Sequence, residues 1–211
     1  MAGKFVLFSY FTAFAIIPVL GQLQTVNGRI KITVGTTSGC SDTMNFIPQL
    51  AEVYNSYGAY LDVEFVPWGR SIWNETGMTC QFGVKDCWAN RLHRCVLDQL
   101  RGNQAAQMHY MNCEFTSPYP AYVQGTYLCA QAVGLRLVEV DYCVNHPGDE
   151  LDQAAQAASF EAMSVINFVP SIHFNDNIDV TLHNEARTRL NSVVCFALAA
   201  DPSTSVIGCT L

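Results

Sequence analysis

The fold is decided by residues 29–69, RIKITVGTTSGCSDTMNFIPQLAEVYNSYGAYLDVEFVPWG. Residues 29–37 largely alternate apolar and polar side chains and are rich in β-branched residues, which predicts a strand. Residues 36–39 supply turn and capping chemistry, and apolar side chains then recur at helical spacing over residues 44–54. Residues 60–66 alternate again and predict a second strand. A strand, a helix and a strand in this order indicate a parallel pair joined by a right-handed crossover.

A cysteine-rich middle segment follows, from about residue 77 to residue 148. It contains six of the nine cysteines of the chain. Its helical stretches, near residues 88–100 and 124–137, are loosely patterned. This combination indicates a helical insertion held by disulfides.

Regular patterning returns after the insertion. An Ala-rich helix is predicted over about residues 150–163, strands over 164–169 and 171–174 on either side of Pro170, and a last amphipathic helix over about 182–199. The whole order predicts an α/β chain with a thioredoxin-like fold, forming a single domain over residues 22–211 that carries the insertion.

The first 21 residues form a distinct N-terminal segment. Lys4 precedes a largely apolar stretch that runs from Phe5 to Leu20 and ends at Gly21, a pattern typical of a cleaved signal peptide. The alternative is an N-terminal membrane anchor, although the stretch is short for a span. No later segment is apolar and long enough to cross a bilayer, so the mature chain is predicted to be soluble.

The composition and net charge of the chain limit which kinds of partner it can bind. The chain of 211 residues is 50% hydrophobic and 14% charged, as globular proteins are, and its formal net charge is −7. An acidic surface repels phosphate backbones, so nucleic acid is not expected as a partner. Asn74-Glu75-Thr76 is an acceptor for N-glycosylation, which fits export and a surface turn.

All nine cysteines lie after the predicted signal peptide. In an oxidising compartment eight of them could form four bridges and leave one thiol free. The eight predicted to be structural are Cys80, Cys87, Cys95, Cys113, Cys129, Cys143, Cys195 and Cys209. Their pairing stays open at this point.

Cys40 is the candidate nucleophile, because it lies where the first predicted strand passes into the first helix. The backbone N–H groups and the dipole at a helix N-terminus favour thiolate over thiol, and thiolate is the attacking species in disulfide exchange. Asp42 opposes this effect through its like charge. The alternative is that Cys40 is one more half-cystine and another cysteine is the spare.

Thr43 occupies the position where a two-thiol oxidoreductase carries its second cysteine, three residues after the first. A hydroxyl can hydrogen-bond to a thiolate but cannot displace a mixed disulfide. Cys40 is therefore expected to need an external thiol, such as glutathione or cysteine, or a second substrate thiol. No cofactor is expected beyond that reductant.

The five histidines make neither HExxH nor a paired Cys/His zinc spacing, so no metal site is predicted. His183 is predicted at a solvated helix start and His93 on the surface of a helix. His173 follows Pro170 by three residues and could approach Cys40, although a packed or solvated strand histidine is the favoured interpretation.

Residues 80–90, CQFGVKDCWAN, followed by Cys95, resemble the signature of the gamma-interferon-inducible lysosomal thiol reductase (GILT) family. That signature runs Cys-Gln-His-Gly, two variable residues, Glu-Cys, two variable residues, Asn, four variable residues and Cys. This chain keeps the cysteines, Gln81, Gly83 and Asn90 at those spacings. Phe82 replaces histidine and Asp86 replaces glutamate.

Three further segments carry the same resemblance. Residues 66–69, VPWG, resemble the family's Val-Pro-Trp-Gly, and Cys40 falls on the first cysteine of the family's Cys-x-x-Cys. Val169-Pro170 resembles the Val-Pro at the cis-proline position of thioredoxin folds. The resemblance implies that Val169 and Pro170 form a wall for substrate beside Cys40.

The sequence thus predicts a thiol–disulfide oxidoreductase of the GILT type, secreted or lysosomal, with disulfide-containing proteins as substrates. Its activity is expected to be weakened, because the family's reductase chemistry uses both cysteines and Thr43 replaces the second. The alternative is a secreted binding or defence protein that has kept the scaffold and lost catalysis. The oligomeric state is left open.

Overall fold

The structure is a computed structural model that describes residues 22–75 and 77–209. The predicted signal peptide, residues 1–21, lies outside the described residues. The described chain opens with β1 (Ile30–Thr36), α1 (Ser41–Tyr57) and β2 (Leu61–Pro67). The two strands pair in parallel, with Ile30 opposite Leu61. The predicted strand, helix and parallel strand are therefore confirmed.

The C-terminal part completes the sheet. The elements are α6 (Glu150–Val165), β5 (Ser171–Phe174) and α7 (Val180–Ala199). β5 runs antiparallel to β1, so the strand order is β2-β1-β5 and β1 is central. The peptide bond between Val169 and Pro170, directly before β5, is cis. A βαβ unit followed by a cis-proline, an antiparallel strand and a final helix is a thioredoxin-like arrangement.

The predicted strand over residues 164–169 is wrong. The helix α6 continues through Ser164 to Val165, and Asn167, with a φ of 49°, then turns the chain toward the cis-proline. After β5, Asn175 and Asp176 also have positive φ and lead the chain toward α7. In the described part of the chain the main sheet consequently has three strands.

The described part of the insertion between β2 and α6 consists of a hairpin and four helices. They are β3 (Ile72–Asn74), β4 (Gly77–Thr79), α2 (Val84–Gln99), α3 (Gln104–Glu114), α4 (Leu128–Ala132) and α5 (Leu137–Val144), with one π-helical turn at Pro120–Gln124. The single helix predicted over residues 124–137 is wrong, because left-handed backbone at Gly125 and Gly134 interrupts it.

Four disulfides brace these elements. Cys95–Cys143 joins α2 to α5, Cys113–Cys129 joins α3 to α4, Cys195–Cys209 ties α7 to the C-terminal segment, and Cys80–Cys87 closes the segment that leads into α2. Each bridge restricts the unfolded chain, which favours the folded state.

One hydrophobic core joins the sheet to the insertion. Ile32 of β1 and Leu50 of α1 belong to the same cluster of buried side chains as Leu92 of α2, Met111 of α3 and Leu190 of α7. The insertion helices therefore pack onto the sheet domain.

A buried ionic network adds a polar link between the two parts. Asp152 of α6 accepts from the guanidinium groups of Arg91 and Arg94 on α2, at 3.0 and 2.8 Å. Arg94 also donates to the carbonyl oxygen of Pro67 at the end of β2 (2.5 Å) and lies over the ring of Trp68. Burial lowers the pKa of Arg94 to about 10, partly offset by Asp152. The network fixes α2 against the end of β2.

Among the described residues, no helix is both long enough and apolar enough to cross a bilayer.

Candidate active site

Cys40 is the N-cap residue of α1 and the one cysteine without a disulfide in the described chain. Its side chain caps none of the N–H groups of the first turn. Instead, its Sγ lies 3.3 Å from the carbonyl oxygen of Val169, in the geometry of a thiol that donates a hydrogen bond. The residue is 7% exposed. The structure thus places Cys40 against the backbone of Val169, one of the two wall residues named from the sequence, and Pro170 follows Val169 across the cis peptide bond.

The cis-proline segment is held from behind by α7. His183 Nδ1 accepts a hydrogen bond from the backbone N–H of Ile172 at 3.2 Å, and Arg187 lies 3.6 Å above the ring of Phe168. The prediction that His183 is solvated is wrong. His183 packs on β5 and is 1% exposed. Burial, with Arg187 as a further cause, lowers the pKa of His183 to about 4. The neutral ring that this hydrogen bond requires therefore persists in mild acid.

The loop before Cys40 is held by two side chains of α2. The Asp86 carboxylate accepts from the Thr37 hydroxyl (2.9 Å) and from the N–H of Gly39 (3.0 Å). Asn90 Oδ1 accepts from the N–H and the hydroxyl of Ser38, at 2.9 and 2.7 Å. Asn90 also donates to the Thr37 hydroxyl and to Asp86. We call Asp86 and Asn90 the loop clamp.

Sequence reasoning missed this clamp, although a signal for it was present. Asp86 and Asn90 are four residues apart on one helix, so their side chains lie on the same face. Both are fully buried, and their partners are the three residues before the nucleophile. A buried carboxylate and a buried amide need such partners.

Phe82 packs directly on the same loop. A Cβ at Gly39 would lie 2.6 Å from the Cβ of Phe82, so only glycine fits beneath it. The N–H of Phe82 donates to Asp86, and the Cys80–Cys87 bridge closes the segment that carries Phe82. This bridge thus holds one side of the loop that precedes Cys40.

Thr43 lies on the first turn of α1 and is fully buried. Its Oγ1 has no hydrogen-bond partner among the described residues, so it does not bond to Cys40. The position is packed, not solvated. Thr43 therefore contributes no resolving group in this arrangement.

A buried polar cluster lies behind Ser38. His93 Nδ1 lies 3.4 Å from the Ser38 hydroxyl, and His93 Nε2 lies 4.0 Å from the Glu114 carboxylate. The prediction that His93 lies on a helix surface is wrong, because Tyr110 of α3 and Phe115, which directly follows α3, pack against its ring and leave it 1% exposed. Burial lowers the pKa of His93 to about 3 and raises that of Glu114 to about 7.

Two other candidates lie outside this cluster. His173 pairs with Thr33 in the sheet, and the charged groups that act on it are Asp176, Glu64, Lys31 and Glu161. Burial is the main reason that its pKa is lowered. Asn74 is exposed on the β3–β4 hairpin, while Thr76 of its glycosylation triplet is not among the described residues.

Comparison with known proteins identifies the family. The sequence profile described as gamma interferon inducible lysosomal thiol reductase (GILT) matches residues 31–133, which include Cys40 and the loop clamp. The chain belongs to the GILT family. GILT-like protein 1 of Drosophila melanogaster is 24% identical over 192 residues, covering 82% of this chain and 76% of that protein. A gamma-interferon-inducible lysosomal thiol reductase-like protein of Anopheles gambiae is 23% identical over 195 residues, covering 82% and 79%.

Solved structures of similar shape include reduced DsbA1 from Neisseria meningitidis, 13% identical with a TM-score of 0.44, covering 85% of this chain and 91% of that one. Oxidised Mtb DsbA is also 13% identical with a TM-score of 0.43, covering 84% and 98%. The fold assignment rests on strand order and the cis-proline turn.

The residues of the GILT signature contact the loop before Cys40 in this chain. Its cysteines at 80 and 87 form the short bridge, and its acidic position, Asp86, together with Asn90, forms the loop clamp. Phe82, at the signature's histidine position, packs on Gly39. The signature residues therefore support the loop that leads into the candidate nucleophile.

Proposed function

We propose that this GILT family member is a monothiol thiol–disulfide oxidoreductase that acts on protein disulfides through Cys40. The observation that carries the proposal is the unbridged sulfur of Cys40, at the start of α1 and 3.3 Å from the carbonyl oxygen before the cis-proline. An unpaired thiol at a helix N-terminus, beside the carbonyl oxygen that precedes a cis-proline, suits disulfide exchange.

In the first step the Cys40 thiolate attacks one sulfur of the substrate disulfide. A new S–S bond forms, the substrate S–S bond breaks, and the second substrate sulfur leaves as a thiolate that takes a proton. The product is a mixed disulfide between Cys40 and the substrate.

An external thiol, such as glutathione or cysteine, completes the exchange because Thr43 has no sulfur. Its thiolate attacks the Cys40 sulfur and releases the second substrate thiol. A second external thiol then attacks the external sulfur now bound to Cys40. Two external thiols are oxidised to one disulfide, the substrate disulfide is reduced to two thiols, and Cys40 is regenerated.

The processing and the destination of the protein are part of the same proposal. We propose cleavage of residues 1–21, glycosylation at Asn74 and a lysosomal or extracellular destination, on the basis of the N-terminal pattern, the exposed hairpin asparagine and the family. N-terminal sequencing tests the cleavage, a loss of mass on glycosidase treatment tests the glycan, and recovery of the protein from lysosomes or from the medium tests the destination.

A different class of function is favoured by one observation. Thr43 replaces the resolving cysteine and is sealed in the core. A binding or defence protein that has kept the GILT scaffold without turnover would carry such a change.

An insulin-reduction assay with added glutathione, run beside Cys40→Ser, separates the two functions. The oxidoreductase is expected to reduce insulin, and Cys40→Ser is expected to fall to the background of glutathione alone. Equal rates for the two proteins would reject the enzyme and leave the binding function.

A further inference from the structure

A groove lies beside the cis-proline segment, between the chain that follows β2 and the last turns of α6. Its volume is about 410 Å³. Ile72 lines it from the chain that follows β2 and Phe160 from α6, and these side chains are 60% and 76% exposed. Half-buried Met163 also lines the groove. Large apolar side chains that line one groove at such exposure mark a binding surface.

The groove is built into the fold, because hydrogen bonds connect its two walls. Ser159 Oγ of α6 donates to the carbonyl oxygen of Gly69 at 3.2 Å. At one end, Arg70 donates to the carbonyl oxygen of Asn167 at 2.5 Å. The walls therefore hold their separation without a ligand.

Both walls of the groove lie near the candidate active site. Asn167 lines it, and Val169, two residues further on, provides the carbonyl oxygen at Cys40. Two residues of extended chain span about 7 Å at most. On the other wall, a Cβ at Gly69 would lie 2.8 Å from the Cβ of Thr37, a residue held by the loop clamp.

The lining indicates the chemistry of the occupant. Arg70 is the one charged side chain among the described residues that line the groove, although the chain as a whole carries a formal net charge of −7. Gln156 and Ser164 add neutral polar groups at the rim. The groove thus suits an apolar side chain that belongs to a neutral or acidic peptide segment. Its lining offers no carboxylate that would attract a basic segment.

We propose that this groove is a specificity subsite that takes a bulky apolar side chain of an extended substrate polypeptide, about three residues from its disulfide cysteine. The inference deepens the proposed function and rests on it, since Cys40 and Val169 set the register of the peptide. It predicts a preference for disulfides in locally unfolded, apolar sequence over those in hydrophilic sequence.

The test measures binding without disulfide chemistry. The full mature chain with Cys40→Ser is titrated into two fluorescein-labelled nonapeptides in which serine replaces the reactive cysteine. One peptide carries phenylalanine three residues from that serine, and the other carries serine there. Fluorescence anisotropy is expected to give about tenfold tighter binding of the phenylalanine peptide.

Phe160→Ser, added to the same protein, is expected to abolish that ratio and to leave binding of the serine peptide unchanged. Val138→Ser is the matched control, because Val138 is 73% exposed on α5 and does not line the groove. It is expected to keep the ratio. Circular dichroism establishes that both variants are folded.

Equal affinities for the two peptides, or a ratio that survives Phe160→Ser, would overturn the subsite. A shift from dimer to monomer in Phe160→Ser by light scattering, with the ratio unchanged, would also overturn it and identify the groove as a contact between copies of the chain. If the protein fails to reduce insulin but its unaltered groove still prefers the phenylalanine peptide, the oxidoreductase function alone is rejected. The groove is then retained as a peptide site.

Discussion

The Asp86 carboxylate lies 3.0 Å from the backbone nitrogen of Gly39, the residue before the candidate nucleophile. It also accepts from Thr37 and Phe82, so one buried side chain fixes three points around the start of α1. Asp86→Asn keeps the shape and replaces one acceptor oxygen by a donor. We expect a loss of about 1–3 kcal/mol in the free energy of unfolding, because a buried N–H or hydroxyl loses its acceptor.

The same substitution is expected to move two rates in opposite directions. Loosening of the loop exposes Cys40 and accelerates its alkylation by iodoacetamide, while insulin reduction slows because the sulfur is no longer held beside Val169. Asp86→Glu, which restores the residue of the family signature, is expected to keep both rates at the values of the natural protein.

Asp42→Asn is the control, since it removes an equal charge two residues from Cys40 at an exposed position. Parallel changes in Asp86→Asn and Asp42→Asn would mean that charge, not loop position, governs Cys40.

Removal of Asp152 is expected to be among the most destabilising single changes in the chain. It is 2% exposed and pairs with two buried guanidinium groups, so Asp152→Asn leaves Arg94 without its ionic partner. Breaking a buried pair in this way costs about 3–5 kcal/mol. Urea unfolding measures the loss.

Asp98→Asn is the matched surface control for that measurement. Asp98 pairs with Arg101 on the exposed side of α2, and such pairs contribute less than about 1 kcal/mol. Similar losses for Asp152→Asn and Asp98→Asn would show that the buried network does not connect the insertion to the sheet.

Much of this architecture could be predicted from local pattern. The strand, turn and helix around Cys40 follow from alternation and helical spacing over residues 29–54, and these are properties of short segments. The strand predicted over residues 164–169 failed because a short apolar run is compatible with either helix or strand, and the packing of α6 decides. The loop clamp joins residues 47 to 53 positions apart, which no local pattern reports.

Burial of polar side chains was the hardest feature to predict. His93 and His183 sit on helices whose sequences look half polar, yet both are 1% exposed. His93 is covered by Tyr110 of α3 and by Phe115 directly after it, and His183 by β5. Which face of a helix receives such a cover is decided by tertiary packing, not by the helix sequence.

His93 and Glu114 are expected to give the protein opposing responses to acid. Burial raises the pKa of Glu114 from 4.5 to about 7 in the folded state, so its contribution is fully present below pH 4.5 and is lost as the pH rises through 7. Burial lowers the pKa of His93 from 6.5 to about 3, so its contribution is present above pH 6.5 and is lost as the pH falls toward 3. Between pH 5 and 6.5 the two effects act against each other.

Single substitutions separate the two effects. Glu114→Gln leaves the histidine, so the free energy of unfolding is expected to fall more steeply than in the natural protein between pH 6.5 and 5. His93→Gln leaves the carboxyl, so the same acidification is expected to stabilise that variant relative to the natural protein. Urea unfolding at the two pH values gives the slopes, and identical slopes for the two variants would contradict the assignment.

Thr43→Cys is expected to restore the resolving step. The side chains are close in size, and the buried Oγ1 of Thr43 gives up no hydrogen bond, so the substitution should fold normally. A cysteine one turn after Cys40 attacks the mixed disulfide as an intramolecular thiol, at an effective concentration of about a millimolar or more. The pre-reduced variant, mixed with insulin in the absence of external thiol, is expected to release reduced chains and to end with a disulfide between Cys40 and the sulfur introduced at position 43.

The natural protein in the same single-turnover experiment is expected to stop as a covalent adduct between Cys40 and insulin, visible by mass spectrometry under non-reducing conditions. Thr43→Ser provides the control, because it changes the buried hydroxyl side chain without adding a sulfur, and it should form the same trapped adduct. An adduct that persists equally in Thr43→Cys would mean that the buried first turn of α1 keeps position 43 from reaching the mixed disulfide. The missing sulfur would then not be what limits turnover in this chain, and the orientation of α1 against Val169 would be.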